Sequence, residues 1–453
     1  MSLDNLPVEW LKSSFANLND YRANNFNPLK NDETYYELYS VPIFPQGYPE
    51  ILQANEIGSS KQIVEKNDVL LCKINPRINR VWQVSKYTDY LNIASSEWIV
   101  FRQCNVVPNF YRYYFQSLEF RNLLCANVSG VGGSLTRAQP KHVATYDLPV
   151  PPLAEQQEIV RQLDVMLAQV EQIKARLDAI PAILKKFRQS VLADAVSGKL
   201  TEAWRKSRNI EFPEEKRYLY EIASIDIGYA FKSKEFTGSG IKLLRGQNID
   251  PLSLKWEDTK YFPESKLDSF KHLFLKEKDI VLAMDRPIVK SGLKLARVSE
   301  NDLPCVLVQR VARFKDIKVN QDFLWYALLD LNFSNYLVPN QTGSDIPHIS
   351  GKQILNYELF APDIREQNQI VIQVSKLFNY IETIEIVVQS AQKRVNLLTQ
   401  SILAKAFSGE LTIEWREQHQ ELITGINSAE SLFAKIQAGR EAIKPVKKAK
   451  KVK

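Results

Sequence analysis

SVLADAVSGKLTEAWR at residues 190–205 recurs as SILAKAFSGELTIEWR at residues 401–416, with ten identities in sixteen positions and no gap. The two copies are 211 residues apart, and the same shift aligns LPVPPLAEQQEIV (148–160) with LFAPDIREQNQIV (359–371). Of the 58 positions from 148 to 205, 20 are identical to the residue 211 positions later. A repeat of this length indicates that the chain contains one structural unit twice.

The same shift extends more weakly upstream, where it pairs Asp68 with Asp279 and Pro76 with Pro287. Strand-like runs such as DVLLCKI (68–74) and DIVLAMD (279–285) alternate with short helical stretches, which predicts an α+β fold for each variable part. We therefore expect a tandem duplication of a variable domain followed by a similar segment. The predicted boundaries are 1–147 and 218–358 for the variable domains, 148–217 and 359–420 for the similar segments, and 421–453 for a C-terminal extension.

Both similar segments carry apolar residues at alternating steps of four and three, which is the a/d seam of a coiled coil. The seam runs from Ile159 to Val191 in the first copy and from Ile370 to Ile402 in the second. We predict one long helix from each copy. If the two helices pack antiparallel, an internal pseudo-twofold axis relates the two variable domains. Such a pair would hold the two variable domains at a set separation.

The ends of the predicted helices carry capping signals. Asp363 is a candidate N-cap of the second helix, and Gly198 and Gly409 stand where a left-handed C-terminal cap is expected. Pro181 interrupts the first seam, so we expect it to kink that helix or to start a second helical segment.

Charge and composition give little direct evidence for a nucleic-acid partner. The net charge is +7, but six of these charges belong to the tail KPVKKAKKVK (444–453), which leaves +1 for residues 1–443. No run of 18 apolar residues occurs, and the N-terminus MSLDNLPVEW has no signal-peptide pattern. We therefore expect a cytoplasmic protein with no membrane partner.

No motif in the chain predicts catalysis or metal binding. The four cysteines form no CxxC pair, and the four histidines have no metal-ligand spacing. The SGKLT of the opening stretch resembles the end of a phosphate-binding loop, but Ala193 replaces the required glycine and Glu410 stands for Lys199 in the second copy. We interpret the chain as non-catalytic, with no metal or cofactor of its own.

Polar and basic residues among turn formers are the candidates for nucleic-acid contact in the variable domains. Arg can bind guanine through two hydrogen bonds, Asn and Gln can do the same for adenine, and Lys or Arg can neutralise phosphate. The candidate DNA-binding residues are Lys73, Asn75, Arg77, Arg80, Arg137 and Lys141 in the first domain and Arg245, Gln247, Asn248, Arg286, Lys290, Lys294, Arg297, His348 and Lys352 in the second. For each of them, a solvated surface residue is the alternative interpretation.

The arrangement resembles one family, the specificity subunits of Type I restriction-modification systems. The likeness is carried by LPVPPLAEQQEIV with APDIREQNQIV, by the heptad helices, and by the SGKLT..WR and SGELT..WR stretches, and it extends to about residue 420. It implies a DNA-reading subunit without catalysis, in which each variable domain reads one half of a bipartite asymmetric site on double-stranded DNA. The two helices would pack as an antiparallel coiled coil and set the spacer between the half-sites.

The resemblance also implies partners. Two S-adenosylmethionine-dependent adenine methyltransferase subunits would dock on the repeated segments, and two restriction (motor-endonuclease) subunits that use ATP and Mg would complete a restriction enzyme. Two identical partners need two equivalent surfaces, so an asymmetric chain must contain the docking segment twice. The candidate partner-binding residues are Ser197, Gly198, Leu200, Trp204 and Arg205 in the first copy and Ser408, Gly409, Leu411, Trp415 and Arg416 in the second.

Three alternatives stay open on the sequence. A coiled-coil scaffold that binds proteins predicts no DNA affinity without the basic tail and no copurifying methyltransferase. A nuclease assembled from scattered carboxylates predicts magnesium-dependent cleavage by the isolated chain. The same DNA reader could also serve a methylation-only system that has no motor subunit.

Overall fold

The computed structural model describes residues 6–30, 34–129, 136–338 and 347–443, so the lysine-rich tail lies outside the described residues. The chain divides into two compact units, Met1–Asp178 with Ser390–Lys453 (unit 1) and Ala179–Gln389 (unit 2). Each unit combines one variable domain with parts of both similar segments. In the described part of the chain, no helix is both long and apolar enough to cross a membrane.

The first variable domain consists of short strands and helices in unit 1. Its strands are β1 (Leu11–Ser14), β2 (Asn25–Phe26), β3 (Tyr35–Tyr39), β4 (Glu50–Gln53), β5 (Lys61–Ile63), β6 (Val69–Cys72), β7 (Val81–Gln83), β8 (Leu91–Ser95), β9 (Trp98–Phe101), β10 (Val128–Ser129), β11 (Arg137–Ala138) and β12 (Asp147–Val150). Its helices are α1 (Phe15–Leu18), α2 (Pro108–Gln116), α3 (Leu118–Ala126) and α4 (Pro140–Val143). They form a five-stranded sheet in the order β2-β5-β8-β3-β4 and a three-stranded sheet in the order β7-β6-β9.

The long helix α5 (Leu153–Val196) follows, and the second variable domain lies in unit 2. Its strands are β13 (Arg217–Tyr218), β14 (Ser224–Ile227), β15 (Ile241–Leu244), β16 (Ile249–Asp250), β17 (Ser253–Leu254), β18 (Tyr261–Phe262), β19 (Ile280–Ala283), β20 (Ile288–Val289), β21 (Gly292–Leu293), β22 (Leu295–Arg297), β23 (Cys305–Leu307), β24 (Val311–Lys315) and β25 (Glu358–Leu359). The short helix α6 (Glu202–Lys206) belongs to the first similar segment, and the helices of the second variable domain are α7 (Leu219–Ile222), α8 (Gln321–Leu329), α9 (Leu331–Leu337) and α10 (Gly351–Leu355). The larger sheets have the orders β14-β24-β19-β22 and β18-β15-β23.

The two strand-like runs predicted from the sequence are the middle strands of their sheets. All four residues of β6 and all four of β19 are buried, because each strand is covered on both faces. In both domains the first strand pairs antiparallel with the last, β1 with β12 and β13 with β25. This pairing brings the start of each domain beside its end, immediately before a long helix.

The second long helix is α11 (Ile364–Phe407), and it is followed by α12 (Ile413–Gln418) and α13 (Ala429–Ile443). Within unit 1, Gln392 donates to Asp178 at 2.7 Å, and the buried Ile159 and Leu163 share a core with Leu403. Residue numbers thus fall along α11 as they rise along α5, so the segments are antiparallel.

Unit 2 has the complementary halves of the same two helices. Arg188 pairs with Glu385 at 3.0 Å, and Val191 shares a core with Ile370 and Val374, which again makes the segments antiparallel. The α+β fold with two long antiparallel helices is therefore confirmed. The predicted domain boundaries follow the sequence repeat, whereas the compact units follow packing and divide each long helix between them.

The helix ends agree with the capping signals. Gly198 and Gly409 have φ of 75° and 81°, the left-handed conformation that glycine adopts without a steric cost. Asp363 accepts a hydrogen bond from the backbone N–H of Arg365 at 2.9 Å, as an N-cap does. The alternative of a second helical segment at Pro181 is wrong, because α5 continues through that residue.

The described part of the C-terminal extension, residues 421–443, packs within unit 1. Leu432 and Ile436 of α13 are buried in the same core as Trp10, Phe15 and Leu18. The helix therefore covers the beginning of the first variable domain, and it has no counterpart in the sequence of the first repeat.

Candidate functional site

The repeated stretch forms a buried polar latch in unit 1. Glu155, in the first turn of α5, is fully buried, and its Oε1 accepts hydrogen bonds from Thr412 Oγ1 and Arg416 Nη1, both at 2.6 Å. Its other oxygen accepts from Trp10 Nε1 at 2.8 Å. The start of α5 is thereby joined to the segment that follows α11.

Unit 2 contains the equivalent latch at the start of α11. Glu366 is fully buried and accepts from Thr201 Oγ1 at 2.6 Å and from Arg205 Nη1. Arg205 Nη1 also donates to the Gly198 carbonyl oxygen at 2.6 Å. Among the described residues, Glu366 Oε2 has no hydrogen-bond partner, so this latch lacks the donor that Trp10 supplies in unit 1.

The glutamine after each of these glutamates joins the helix to its own variable domain. Gln156 accepts from the Val107 backbone N–H at 3.0 Å and donates to the Pro151 carbonyl at 2.9 Å. Gln367 accepts from the Asn320 N–H at 2.7 Å and donates to the Pro362 carbonyl at the same distance. In each repeat, the glutamate therefore holds the segment that follows the other long helix, and the glutamine holds the variable domain. Both parts are attached to the same turn of one helix.

The glycines of the repeat are required for packing as well as for their backbone conformation. A Cβ on Gly198 would lie 2.4 Å from Phe212, and one on Gly409 would lie 2.3 Å from Pro7. Both contacts are far below van der Waals distance, so a larger residue would displace the covering ring.

The ten predicted partner-binding residues are divided between the interior and the surface. Gly198, Arg205, Gly409 and Arg416 are occupied by the internal contacts described above. Ser197 is exposed, whereas Leu200, Trp204, Ser408, Leu411 and Trp415 are half-buried. Arg208 lies over the ring of Trp204, and His419 stacks on Trp415 at 4.8 Å. A partner that docks on these segments would reach mainly the serines, leucines and tryptophans.

The two long helices also expose apolar residues, which the heptad pattern alone did not assign to a surface. The exposed large apolar residues of the two helices are Leu153, Val165, Ile173, Leu397 and Leu398 in unit 1 and Ile183, Phe187, Ile364, Ile372, Tyr380, Ile384, Ile386 and Val387 in unit 2. Exposed apolar residues of this number make the helices candidates for an interaction surface. The signal in the sequence was apolar residues next to the seam, such as Ile386 and Val387 beside Val388.

In the first variable domain, three candidate residues meet where β6 ends. Asn75 has a left-handed φ of 46°, and its N–H donates to the Thr136 carbonyl at 2.8 Å. Lys73 donates its N–H to the Glu97 carbonyl at 3.0 Å, and Arg137 pairs with the Glu97 carboxylate at 3.1 Å. We call these residues, 73–75, 97 and 136–138, corner 1.

The second domain builds the same frame from residues 284–286, 310 and 347–349, which we call corner 2. Arg286 has a φ of 44°, and its N–H donates to the Pro347 carbonyl at 2.7 Å. The Met284 N–H donates to the Arg310 carbonyl at 3.0 Å, and Arg310 pairs with Asp285 at 3.4 Å. A bridge between residues 285 and 348 matches the bridge between residues 74 and 137.

The remaining candidates of the first domain differ in exposure. Arg77 and Lys141 are exposed and make no side-chain hydrogen bond or ion pair within the described ranges. Arg80 points inward and donates to the Ile74 carbonyl at 3.3 Å, so it supports the turn after β6.

In the second domain, Lys290 and Lys352 are exposed, whereas five candidates make internal contacts. Arg245 and Gln247 bind Asp258, at 3.3 and 2.7 Å respectively. Asn248 is buried and donates to the Lys255 carbonyl. Lys294 donates to the Gly246 carbonyl, and Arg297 pairs with Asp322. Burial lowers the pKa of Lys294, and the positive charge of Arg286 lowers it further, against the opposing effects of Asp250 and Asp285.

Sequence reasoning missed three corner residues: Glu97, Asp285 and Arg310. Asp285 precedes a candidate, Arg286, and a search of its neighbours would have found it. Glu97 and Arg310 are equivalent in structure but 213 residues apart, so the shift of 211 does not align them.

Comparisons with known proteins agree with the repeat. The model of the Type I restriction modification DNA specificity domain matches residues 11–182 and 214–390. The EcoKI specificity subunit of Escherichia coli (strain K12) is 34% identical over 354 residues, which are 74% of this chain and 73% of the relative. The EcoDI specificity subunit of Escherichia coli is 32% identical over 384 residues, which are 80% of this chain and 83% of the relative.

Solved structures share the fold. A chain from a study of complex assembly and conformational transition of the type I R-M system has a TM-score of 0.70 at 18% identity, covering 89% of this chain and 98% of that one. The HsdS subunit from Thermoanaerobacter tengcongensis has a TM-score of 0.59 at 18% identity, with the same coverage.

Proposed function

Because the chain belongs to the Type I restriction-modification DNA specificity family, in which it is a non-catalytic DNA-recognition subunit, we propose that it reads a bipartite asymmetric target. Each variable domain would read one half-site, and the paired helices would set the spacer. The observation that carries this proposal is the combination of equivalent latches with chemically different corners. Equivalent latches hold two copies of one frame, and different side chains on that frame can read different bases.

We propose further that two adenine methyltransferase subunits dock on the repeated segments and on the exposed apolar residues of the helices. A single chain can offer equivalent sites to identical partners only if it contains the docking surface twice. The methyltransferases would supply S-adenosylmethionine chemistry, and two motor-endonuclease subunits would supply ATP- and Mg-dependent translocation and cleavage. Such a complex would act on host DNA in the cytoplasm.

The function is tested by expressing the chain with its methyltransferase partner in a host that lacks both and mapping adenine methylation by single-molecule sequencing. We expect methylation at one bipartite motif with a constant spacer, and the same motif after removal of residues 444–453. A scaffold would give no motif. Cleavage in the presence of a motor-endonuclease partner would distinguish restriction from a methylation-only system.

A further inference from the structure

Corners 1 and 2 have the same backbone frame and different side chains. Beyond the contacts already described, the Ala138 N–H donates to the Lys73 carbonyl at 2.8 Å, and the Ile349 N–H donates to the Met284 carbonyl at 2.9 Å. Each frame is therefore defined by three matching hydrogen bonds and one matching bridge. The two domains differ in strand number and order, and they share this local geometry.

The side chains on the frame differ in charge. Asn75 corresponds to Arg286, Glu97 to Arg310, and Arg137 to His348. A common frame with different side chains suits a recognition surface, because base identity is read by the donors and acceptors that the frame presents.

The backbone of the corner is held in a costly conformation. Neither Asn75 nor Arg286 is glycine, yet both have φ near +45°. For arginine this conformation costs about 1 kcal/mol or more. The Arg286 side chain is exposed, and within the described residues no hydrogen bond or ion pair of that side chain offsets the cost.

Corner 2 also positions a second guanidinium. The Arg310 side chain is 48% exposed and is held by Asp285, which leaves other N–H donors of its planar fork available. Arg is the residue that most often binds guanine through its O6 and N7. Exposed lysines stand at matching positions beside the two corners, Lys141 in α4 and Lys352 in α10, where they can neutralise phosphate.

We propose that the corner is the base-reading centre of each variable domain, and that Arg286 and Arg310 select guanine in the half-site read by the second domain. The inference rests on the proposed function of the domains as readers of half-sites. It assigns base reading to Arg286 and Arg310 and to their counterparts in corner 1, Asn75 and Glu97. Asn248, Lys294 and Arg297 have structural roles.

The test exchanges the side chains between the corners in the full chain, coexpressed with its methyltransferase partner. Arg286→Asn introduces the residue found at position 75, which tolerates the left-handed conformation, and Asn75→Arg is the reciprocal change. For Arg286→Asn and for Arg310→Gln, we expect discrimination at one base pair of the second half-site to fall about tenfold to a hundredfold. For Asn75→Arg, we expect the change in the first half-site only.

Two further variants control the experiment. Lys271→Asn changes an exposed basic residue outside the corner and should leave the methylated motif unchanged. Lys352→Ala should weaken methylation at all sites alike, because a phosphate contact carries no base preference. Copurification of each variant with the methyltransferase checks that it has folded.

The outcomes separate this inference from the proposed function. If copurifying Arg286→Asn and Arg310→Gln variants keep the motif of the unmodified chain with the same selectivity, the corner does not read bases, although the chain would still read a bipartite target. A change that appears in both half-sites also overturns the inference. If the unmodified chain itself gives no bipartite motif, the proposed function fails instead.

Discussion

At the scale of single residues, the repeated stretch makes an internal contact in each of its two copies. Its Thr and Arg bind a glutamate that is 161 or more residues away in the sequence. The prediction assigned the two arginines to a partner surface and did not select the threonines, because no local pattern shows a contact over that distance. The αL glycines, in contrast, were predictable, because a C-terminal cap is a local feature.

Removing an arginine from either latch should leave a buried carboxylate without its main partner. Both glutamates are fully buried, and the arginine side chains are only 11% and 10% exposed. We expect Arg205→Ala and Arg416→Ala each to lower the free energy of unfolding by about 3–5 kcal/mol. Arg205→Ala should have the larger effect, because Glu366 lacks the indole donor that Trp10 gives to Glu155.

Urea denaturation measures this difference, and Arg161→Ala is the matched control. Arg161 lies on the surface of α5 and pairs with Glu158 with 66% of its side chain exposed, so its removal should cost no measurable stability. Equal effects of the latch variants and the control would show that the latches do not stabilise the fold.

At the scale of elements, the helix pair separates residues that pack from residues that are exposed. Val388 is 6% exposed, and its neighbour Val387 is 61% exposed. The heptad pattern predicted that Val388 lies in the seam, but the pattern could not predict how much of the seam is covered. Ile173, Phe187, Ile384 and Leu398 occupy seam positions and are nevertheless more than two fifths exposed.

Val387 and Val388 allow packing between the helices to be distinguished from docking of a partner. Val388→Asp should destabilise unit 2 by several kcal/mol, because it places an unpaired charge in an apolar contact. Val387→Asp should leave the stability almost unchanged and weaken copurification of the methyltransferase. Thermal unfolding and copurification are measured on both variants. A Val387→Asp variant that binds the methyltransferase as well as the unmodified chain would exclude this part of the helix from the docking surface.

Helix α13 is the element that the repeat does not account for. Because Leu432 and Ile436 are buried, we expect Leu432→Ala and Ile436→Ala each to cost about 2–5 kcal/mol in the free energy of unfolding of unit 1. Removal of residues 444–453 is the matched control and should leave that free energy unchanged. Denaturation of the three variants decides whether α13 is a structural part of the first domain.

At the scale of the whole molecule, the duplication explains which properties were predictable. The α+β class and the two long helices followed from the repeat and from the seam, whereas the antiparallel packing of the helices was implied by the family resemblance. The corners did not follow, because they join residues from three separate segments and because Glu97 and Arg310 fall outside the shift of 211. The loops between equivalent strands differ in length, so the shift of 211 residues does not align Glu97 with Arg310.

The most direct measurement exchanges the second variable domain. Residues 218–358 would be replaced by the corresponding domain of a relative with a different target, and the methylated motif would be mapped by single-molecule sequencing. We predict that one half-site changes, while the other half-site and the spacer length stay the same. A change in both half-sites, or no change in either, would contradict the claim that each domain reads its own half of the target.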